Sequence, residues 1–394
     1  MNNFTFSHPT EIEFGCDSKN ALKKQLSKRN VKNVLYHYGG GSIKKNGVYD
    51  MTISVLKELG LNYVELGGVQ PNPRVSLVRE GVKLCRENNI DFILAVGGGS
   101  VIDSAKAIAI GVPYDGDVWD MYMGEIHPTD LEEIPLPLGV VLTIPAAGSE
   151  ASTGSVISND DGLMKRDVGT ELFIPKFAIL NPEYTYSVPK YQVACGCSDI
   201  MAHMFERYFT LQKHVDVTDR LLEANMRSML HYSKLAQDFP NDYNIKAEVM
   251  WAGTIAHNDM LSTGRNGDWA SHQIEHELSA IYDIYHGEGL SIVFPAWMRY
   301  VWKDDPDRFV QFFRRVFDVD FANCEAELIV NEGIIRLENY YKSLGLPVRL
   351  HEVKIGEDKF REMAEKCLIN RGEAIGNFKK LTADDIYNIY QLAK

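Results

Sequence analysis

Between about residue 30 and residue 180, short β-rich runs alternate with amphipathic stretches, which restricts this half of the chain to βαβ units around a parallel sheet. Val34-Leu35-Tyr36-His37-Tyr38 is one such run, and it stops at Gly39-Gly40-Gly41-Ser42. A helix is predicted next, because Val48, Met51, Val55, Leu56 and Leu59 recur mostly at three- and four-residue steps. Residues 62–66 read as a strand, and 74–88 as a helix whose Val75, Val78, Val82 and Cys85 form one apolar face. Residues 91–96 are a nearly continuous apolar run, as expected of a strand buried on both faces, and end at Gly97-Gly98-Gly99-Ser100. Residues 138–143 and 177–180 look like further strands. Beyond Pro189 helical patterns take over, at 198–211, 218–239, 245–261, 324–344 and 384–394. We therefore expect an α/β N-terminal domain, residues 1–188, and an all-helical C-terminal domain, residues 189–394, with a cleft between them as the default ligand site.

The charge balance narrows the partners. Against 41 basic side chains stand 54 acidic ones, a net −13, which argues against nucleic acid or an anionic membrane surface. At 45% hydrophobic and 24% charged residues the chain is of ordinary globular composition, not disordered. No charge-free run reaches the ~18 residues of a spanning helix. Residues 1–9 lack the basic-then-apolar pattern of a secretory leader, so a cytoplasmic protein is expected. Six cysteines without finger-like spacing make neither a disulfide framework nor a structural zinc site, and the close pair Cys195-Gly196-Cys197 is expected to be reduced.

A triple glycine between a buried strand and a helix lets backbone approach a ligand closely, while the helix start offers unpaired N–H groups to a pyrophosphate. Gly97 to Ser100 fits that role, although Ser100 and Asp103 also resemble a capping box with Asp in place of Glu. The loop matches neither G-x-G-x-x-G nor a P-loop. Gly39 to Ser42 ends an earlier strand, where an NAD site usually puts an acid on the ribose 2′-hydroxyl. Here stand small residues, a serine and Lys44-Lys45, a composition that favours NADP; the bland alternative is a glycine turn with solvated lysines.

The helical half carries a candidate metal constellation. Asp199 and His203 stand four apart, on one helical face, His272 and His276 repeat the spacing, and His286 follows just before Gly287. Such an N/O set suits Fe(II) or Zn(II) better than magnesium or calcium. His272-Gln273-Ile274-Glu275-His276 also matches the inverted zinc-protease pattern H-x-x-E-H, with Glu275 as a hydrolytic base. That reading leaves both glycine loops and the Asp199/His203 pair without a purpose.

Taken together, residues 97–106, the run Thr143-Ile144-Pro145-Ala146-Ala147-Gly148-Ser149-Glu150, Asp199-x3-His203 and His272-x3-His276-x9-His286-Gly287 resemble the iron-containing alcohol dehydrogenases over nearly the whole chain. Residues 38–47 resemble the NADPH-dependent butanol dehydrogenase branch. The resemblance implies a dehydroquinate-synthase-like fold, an α/β dinucleotide-binding domain followed by an all-α domain, and a homodimer. It implies metal ligands at Asp199, His203, His272 and His286, with His276 facing cofactor and substrate. It implies Gly98, Gly99 and Ser100 at the pyrophosphate, Gly39, Gly40, Gly41 and Ser42 at the 2′-phosphate, Asn72, Thr143 and Ser149 along the cofactor, and Asp103 and Lys165 near the nicotinamide. Cys195-Gly196-Cys197-Ser198 and Asn181-Pro182 depart from the family's usual Thr-Gly and Asp-Pro.

The expected chemistry is hydride transfer between NADP(H) and a small primary alcohol or aldehyde such as butanol or butanal. A divalent metal, Fe(II) with Zn(II) also acceptable to the ligands, makes the hydroxyl acidic, and His276 is the candidate proton relay. Two rivals remain open. A zinc- and NAD-dependent glycerol dehydrogenase differs in cofactor. A dehydroquinate-synthase-like lyase needs a basic cluster, whereas 263–280 offers Arg265 as its only Arg or Lys and places nearby Trp269, which looks suited to an apolar substrate.

Overall fold

A computed structural model of the protein describes residues 1–321 and 324–394. Its strands are β1 (Glu11–Phe14), β2 (Asn33–Tyr38), β3 (Asn62–Leu66), β4 (Phe92–Gly97), β5 (Leu138–Leu142), β6 (Gly154–Asn159), β7 (Met164–Gly169) and β8 (Phe177–Leu180). The helices of the first half are α1 (Ser18–Lys28), α2 (Ser42–Lys45), α3 (Val48–Glu58), α4 (Val75–Glu87), α5 (Gly99–Gly111) and α6 (Trp119–Tyr122). Those of the second half are α7 (Lys190–Tyr208), α8 (Asp216–Asp238), α9 (Tyr243–His257), α10 (Ala270–Tyr282), α11 (His286–Val301), α12 (Pro306–Val316), α13 (Ala326–Ser343), α14 (Phe360–Cys367) and α15 (Ala383–Leu392).

By packing, the chain divides into two units. The first comprises Ser7–Val188 with Pro240–Thr254. Six of its strands form a sheet in the order β1-β8-β5-β4-β2-β3, every neighbouring pair parallel. Successive strand residues face opposite sides. Leu35, Ile93, Ala95, Val140 and Ala178 join α4 and α5 in one apolar cluster, while Val34, Tyr36, Leu94, Val96, Val141 and Ile179 join α1 and α3 in another. Burial on both faces is why these strands are apolar throughout. β6 and β7 form a separate antiparallel hairpin.

The second unit comprises Met1–Phe6, Pro189–Phe239 and Ile255–Lys394, and its described elements are helical. Relative to a single cut at Val188, two segments change sides. Pro240–Thr254 joins the sheet unit, where Met250 of α9 enters the α4/α5 cluster. Met1–Phe6 joins the helical unit, where the Asn2 N–H donates to the Gly264 carbonyl at 2.9 Å. The helical core is aromatic: Phe209, Trp297, Phe309, Phe312 and Phe378 meet at centroid separations of 4.6 to 6.1 Å. Beside it Asp219 accepts bonds from Arg308 at 2.6 and 2.7 Å and pairs with Arg265 at 2.7 Å. Among the described residues no helix is long and apolar enough to cross a membrane.

Candidate functional site

The helical unit gathers one buried cluster from three helices. α7 presents Asp199 and His203 one turn apart, α10 presents His272, Glu275 and His276, and α11 opens on His286. Ligating atoms of Asp199, His272 and His286 all lie within 4.8 Å of one another. Asp199 Oδ1 is 3.9 Å from His272 Nε2 and 3.8 Å from His286 Nε2. His203 stands beside this set, with Nδ1 3.1 Å from Asp199 Oδ1 and its ring centroid 4.6 Å from that of His272. His276 falls in an overlapping group with Glu275 and His286, its ring 5.7 Å from His286.

Whether these residues fit a metal is decided by two atoms. Asp199 Oδ1 and His272 Nε2 are buried, yet neither makes a hydrogen bond among the described residues. An orphaned buried polar atom costs about 1–3 kcal/mol, so buried polar atoms are normally paired. A cation bound by carboxylate oxygen and imidazole nitrogen satisfies both, and the mixed N/O donors match Fe(II) or Zn(II). Burial alone would raise the Asp199 carboxyl, but the imidazoles around it, His203 first, hold it well below its ordinary value. Burial likewise lowers His272, but the Asp199 and Glu206 carboxylates outweigh it and push the imidazole up to about 9.

Glu206 and His257 at this site escaped the sequence reading, and Glu275, read there only as a possible hydrolytic base, takes a different role. Glu206, on the Asp199 face of α7, accepts from His272 Nδ1 at 2.8 Å, from the His272 N–H at 3.0 Å and from the Trp269 N–H at 2.5 Å. Glu275 accepts from His286 Nδ1 and from the Ser279 hydroxyl. His257 accepts from Arg207 Nη2 at 2.9 Å and lies 4.3 Å, centroid to centroid, from His203. Trp269 is not a bare apolar wall, because the Arg207 guanidinium stacks 4.8 Å from its ring.

Two glycines let α11 come this close. A Cβ at Gly287 would stand 2.0 Å from the Cys195 carbonyl oxygen of α7, and one at Gly289 would stand 2.5 Å from Glu275 Oε1. Gly287→Ala must therefore push α11 off α7 one turn before Asp199. We expect a loss of about 1–3 kcal/mol, as for overpacked cores. The check is thermal unfolding with and without Zn(II): the stabilisation conferred by metal should shrink, and a full wild-type metal response would contradict this.

The sheet unit gathers the residues expected at a dinucleotide. β2 has β3 on one side and β4 on the other, so the chain reverses direction across the sheet there, and open parallel sheets bind ligands at the carboxyl ends of strands at such a point. Tyr38 pairs with Val96, so the loops beginning at Gly39 and Gly97 leave side by side. The Thr143 N–H donates to the Gly97 carbonyl at 3.0 Å, and Cβ atoms at Gly98 and Gly99 would lie 3.2 and 3.3 Å from Ile144 and Ala147. Gly98, Gly99, Ser100 and Thr143 are thus together at the start of α5. The capping box expected at Ser100 is absent: α5 begins after Gly98, and Asp103 instead accepts from Ser149 Oγ at 2.5 Å and from the Val156 N–H at 3.1 Å. One turn on, buried Lys106 donates to Ser149 Oγ, Ser152 O and Gly154 O at 2.8 to 3.0 Å, fixing the Ser149 loop. Asn72, held at φ +53°, accepts from Lys165 Nζ at 3.0 Å.

At the other glycine loop, Cβ atoms on Gly40 and Gly41 would meet nothing within 4 Å. Lys44 Nζ lies over the Tyr38 and Tyr49 rings, at 5.3 and 4.9 Å. Glu65 of β3 accepts from both of those tyrosine hydroxyls, at 3.0 and 2.8 Å.

Both halves of the chain match known protein families. Residues 9–182 match the family model described as iron-containing alcohol dehydrogenase, and residues 193–394 match the C-terminal model of the Fe-containing alcohol dehydrogenase family. The chain is 43% identical to NADH-dependent butanol dehydrogenase A of Clostridium acetobutylicum, over 99% of each chain. It is 33% identical to the NADPH-dependent aldehyde reductase YqhD of Escherichia coli, over 100% of each. The crystal structure of NADH-dependent butanol dehydrogenase A from Thermotoga maritima superposes with a TM-score of 0.95 at 37% identity, covering 100% of this chain and 99% of that one. The parallel-sheet unit and the helical unit make up the dehydroquinate-synthase-like architecture of these proteins.

Proposed function

Because this chain belongs to the iron-containing alcohol dehydrogenase family, we propose that it transfers a hydride between NADP(H) and a small primary alcohol or aldehyde, such as butanol or butanal, with Fe(II) as the metal. In this reading residues 1–188 hold the dinucleotide, and residues 189–394 hold the metal through Asp199, His203, His272 and His286. The observation that carries it is the pair of orphaned buried atoms, Asp199 Oδ1 and His272 Nε2, within a mixed N/O donor set. When bound, the metal supplies Lewis acidity that makes an alcohol hydroxyl acidic near neutral pH, and the nicotinamide takes or gives the hydride.

The chain's own part is to bind, orient and move a proton. Gly98 and Gly99 let a pyrophosphate approach backbone N–H groups at the α5 start. Asp103 and Lys106, both bonded to Ser149, hold that hydroxyl along the cofactor, and Lys165 with Asn72 serves its nicotinamide end. His276 carries the proton between substrate oxygen and solvent. Arg265, spent on Asp219, is not available to a carboxylated or phosphorylated substrate, which supports the dehydrogenase reading over a lyase. We include a homodimer in the proposal, by family resemblance, and light scattering tests it.

The choice of NADP(H) rests on the Gly39 loop. It has no acid of its own, the Glu65 carboxylate is held by two tyrosines, and Lys44 is the charge it offers. NADH is the second reading, favoured by the names of the Clostridium and Thermotoga relatives. Gly40→Asp separates the two, because there is space for the side chain. Like charges in contact cost at least about 1.4 kcal/mol, so KM for NADPH should rise about tenfold or more while that for NADH changes little. A wild-type enzyme that turns over NADH with the lower KM would instead establish the second reading.

A further inference from the structure

We infer that Glu206 and Glu275 are positioning residues for the metal, each orienting one ligand histidine; the inference rests on the metal reading above. The three imidazoles share one arrangement. His203 Nδ1 donates to the Asp199 carbonyl at 2.9 Å, His272 Nδ1 to Glu206 Oε1 at 2.8 Å, and His286 Nδ1 to Glu275 Oε2. A proton fixed on Nδ1 leaves Nε2 as the nitrogen with the lone pair, which is the tautomer a ligand needs. For His272 and His286 that nitrogen faces the same oxygen, Asp199 Oδ1, at 3.9 and 3.8 Å.

Neither glutamate is placed to be a ligand itself. Glu206 is 1% exposed and receives three N–H donors from the beginning of α10, so both its oxygens are committed. Glu275 is fully buried, its two oxygens are taken by Ser279 and His286, and it lies in the space that Gly289 leaves open. The two contacts form a chain across the site. α7 supplies the carboxylate that orients the α10 ligand, and α10 supplies the one that orients the α11 ligand. Carboxylates behind imidazoles raise their basicity toward a metal. The H-x-x-E-H pattern at 272–276 acquires a meaning other than hydrolysis: its glutamate turns to His286, not to water.

The test is the Zn(II) dissociation constant, read by chelator competition, for wild type, Glu206→Gln and Glu275→Gln. Each substitution keeps the side-chain size and removes the charge. We expect each to weaken Zn(II) on the order of 10- to 100-fold, with the metal-free proteins unfolding near the wild-type temperature. Long-range ¹H–¹⁵N spectra of Zn(II)-loaded wild type should show protonated Nδ1 at His203, His272 and His286, a measurement that decides the matter even where a variant does not fold. Wild-type affinity in either folded variant, or an unprotonated Nδ1 at His272 or His286, would overturn the inference. Failure of wild type to bind Zn(II) or Fe(II) at all would instead overturn the metal reading beneath it.

Discussion

Asp199→Ala should lower kcat/KM for alcohol oxidation by about 1,000-fold or more, since the Lewis acid it helps hold is worth several kcal/mol and about 4 kcal/mol corresponds to that factor. Asp199 is the hub of the cluster: its Oδ1 faces His203, His272 and His286. Purified variant should contain almost no metal, by elemental analysis, after growth in iron-supplemented medium. Retention of both metal and turnover by Asp199→Ala would show that the cluster has been misassigned.

The second large effect is on stability and lies away from the cluster. Asp219→Ala strands the buried guanidinium groups of Arg265 and Arg308. Removing one partner of a buried ionic group costs about 3–5 kcal/mol, because the remaining charge is left uncompensated. For a unit of this size that lowers Tm by on the order of 10 °C. The pH dependence follows from the same pair. Burial would raise the Asp219 carboxyl, but Arg308 and Arg265 hold it below its ordinary value of 3.8. A carboxyl lowered on folding contributes fully above its unfolded pKa, and the contribution is lost as pH falls through the folded one. Wild type should therefore lose an increment of Tm below about pH 4 that Asp219→Ala has already lost at neutral pH. Equal Tm for the two proteins at pH 7 would refute this account of the triad.

Much of the sheet was legible in the sequence, and the reason is physical. β8 was read to the residue, and β2, β4 and β5 to within one residue at each end, because burial on both faces leaves continuous apolar runs; the partly exposed edge strand β3 was also read to the residue, whereas β1 was not read. The β6–β7 hairpin was not read. Its buried Lys165 and Arg166 look like a solvated stretch until their partners are known. α7 begins at Lys190, eight residues before the predicted start at 198, since Ala194-Cys195-Gly196-Cys197 is buried on all sides and shows no helical period. α10 and α11 are also hard to read: Trp269 and Asp283 flank α10 in left-handed conformations, and Pro295 sits inside α11.

The cluster itself was only partly legible. Histidine and aspartate at four-residue spacing stand out, because those residue types are scarce on buried helix faces. Glu206 does not stand out, since glutamate in a helix ordinarily faces water, and Glu275 stands out only as the glutamate of a hydrolytic pattern. Their signal was the three-residue step from His203 and from His272, which puts each on the face its histidine occupies. Trp269 looked like a substrate wall because its partner Arg207 is 62 positions away in sequence.

The most direct test of the central claim is aldehyde reduction by protein stripped of metal and reloaded anaerobically. NADPH oxidation with butanal should be absent in the stripped protein, return with Fe(II) or Zn(II), and not return in Asp199→Ala. Turnover by the stripped protein at the reloaded rate, or no oxidation of NADPH or NADH by the reloaded one, would contradict metal-dependent hydride transfer at Asp199, His203, His272 and His286.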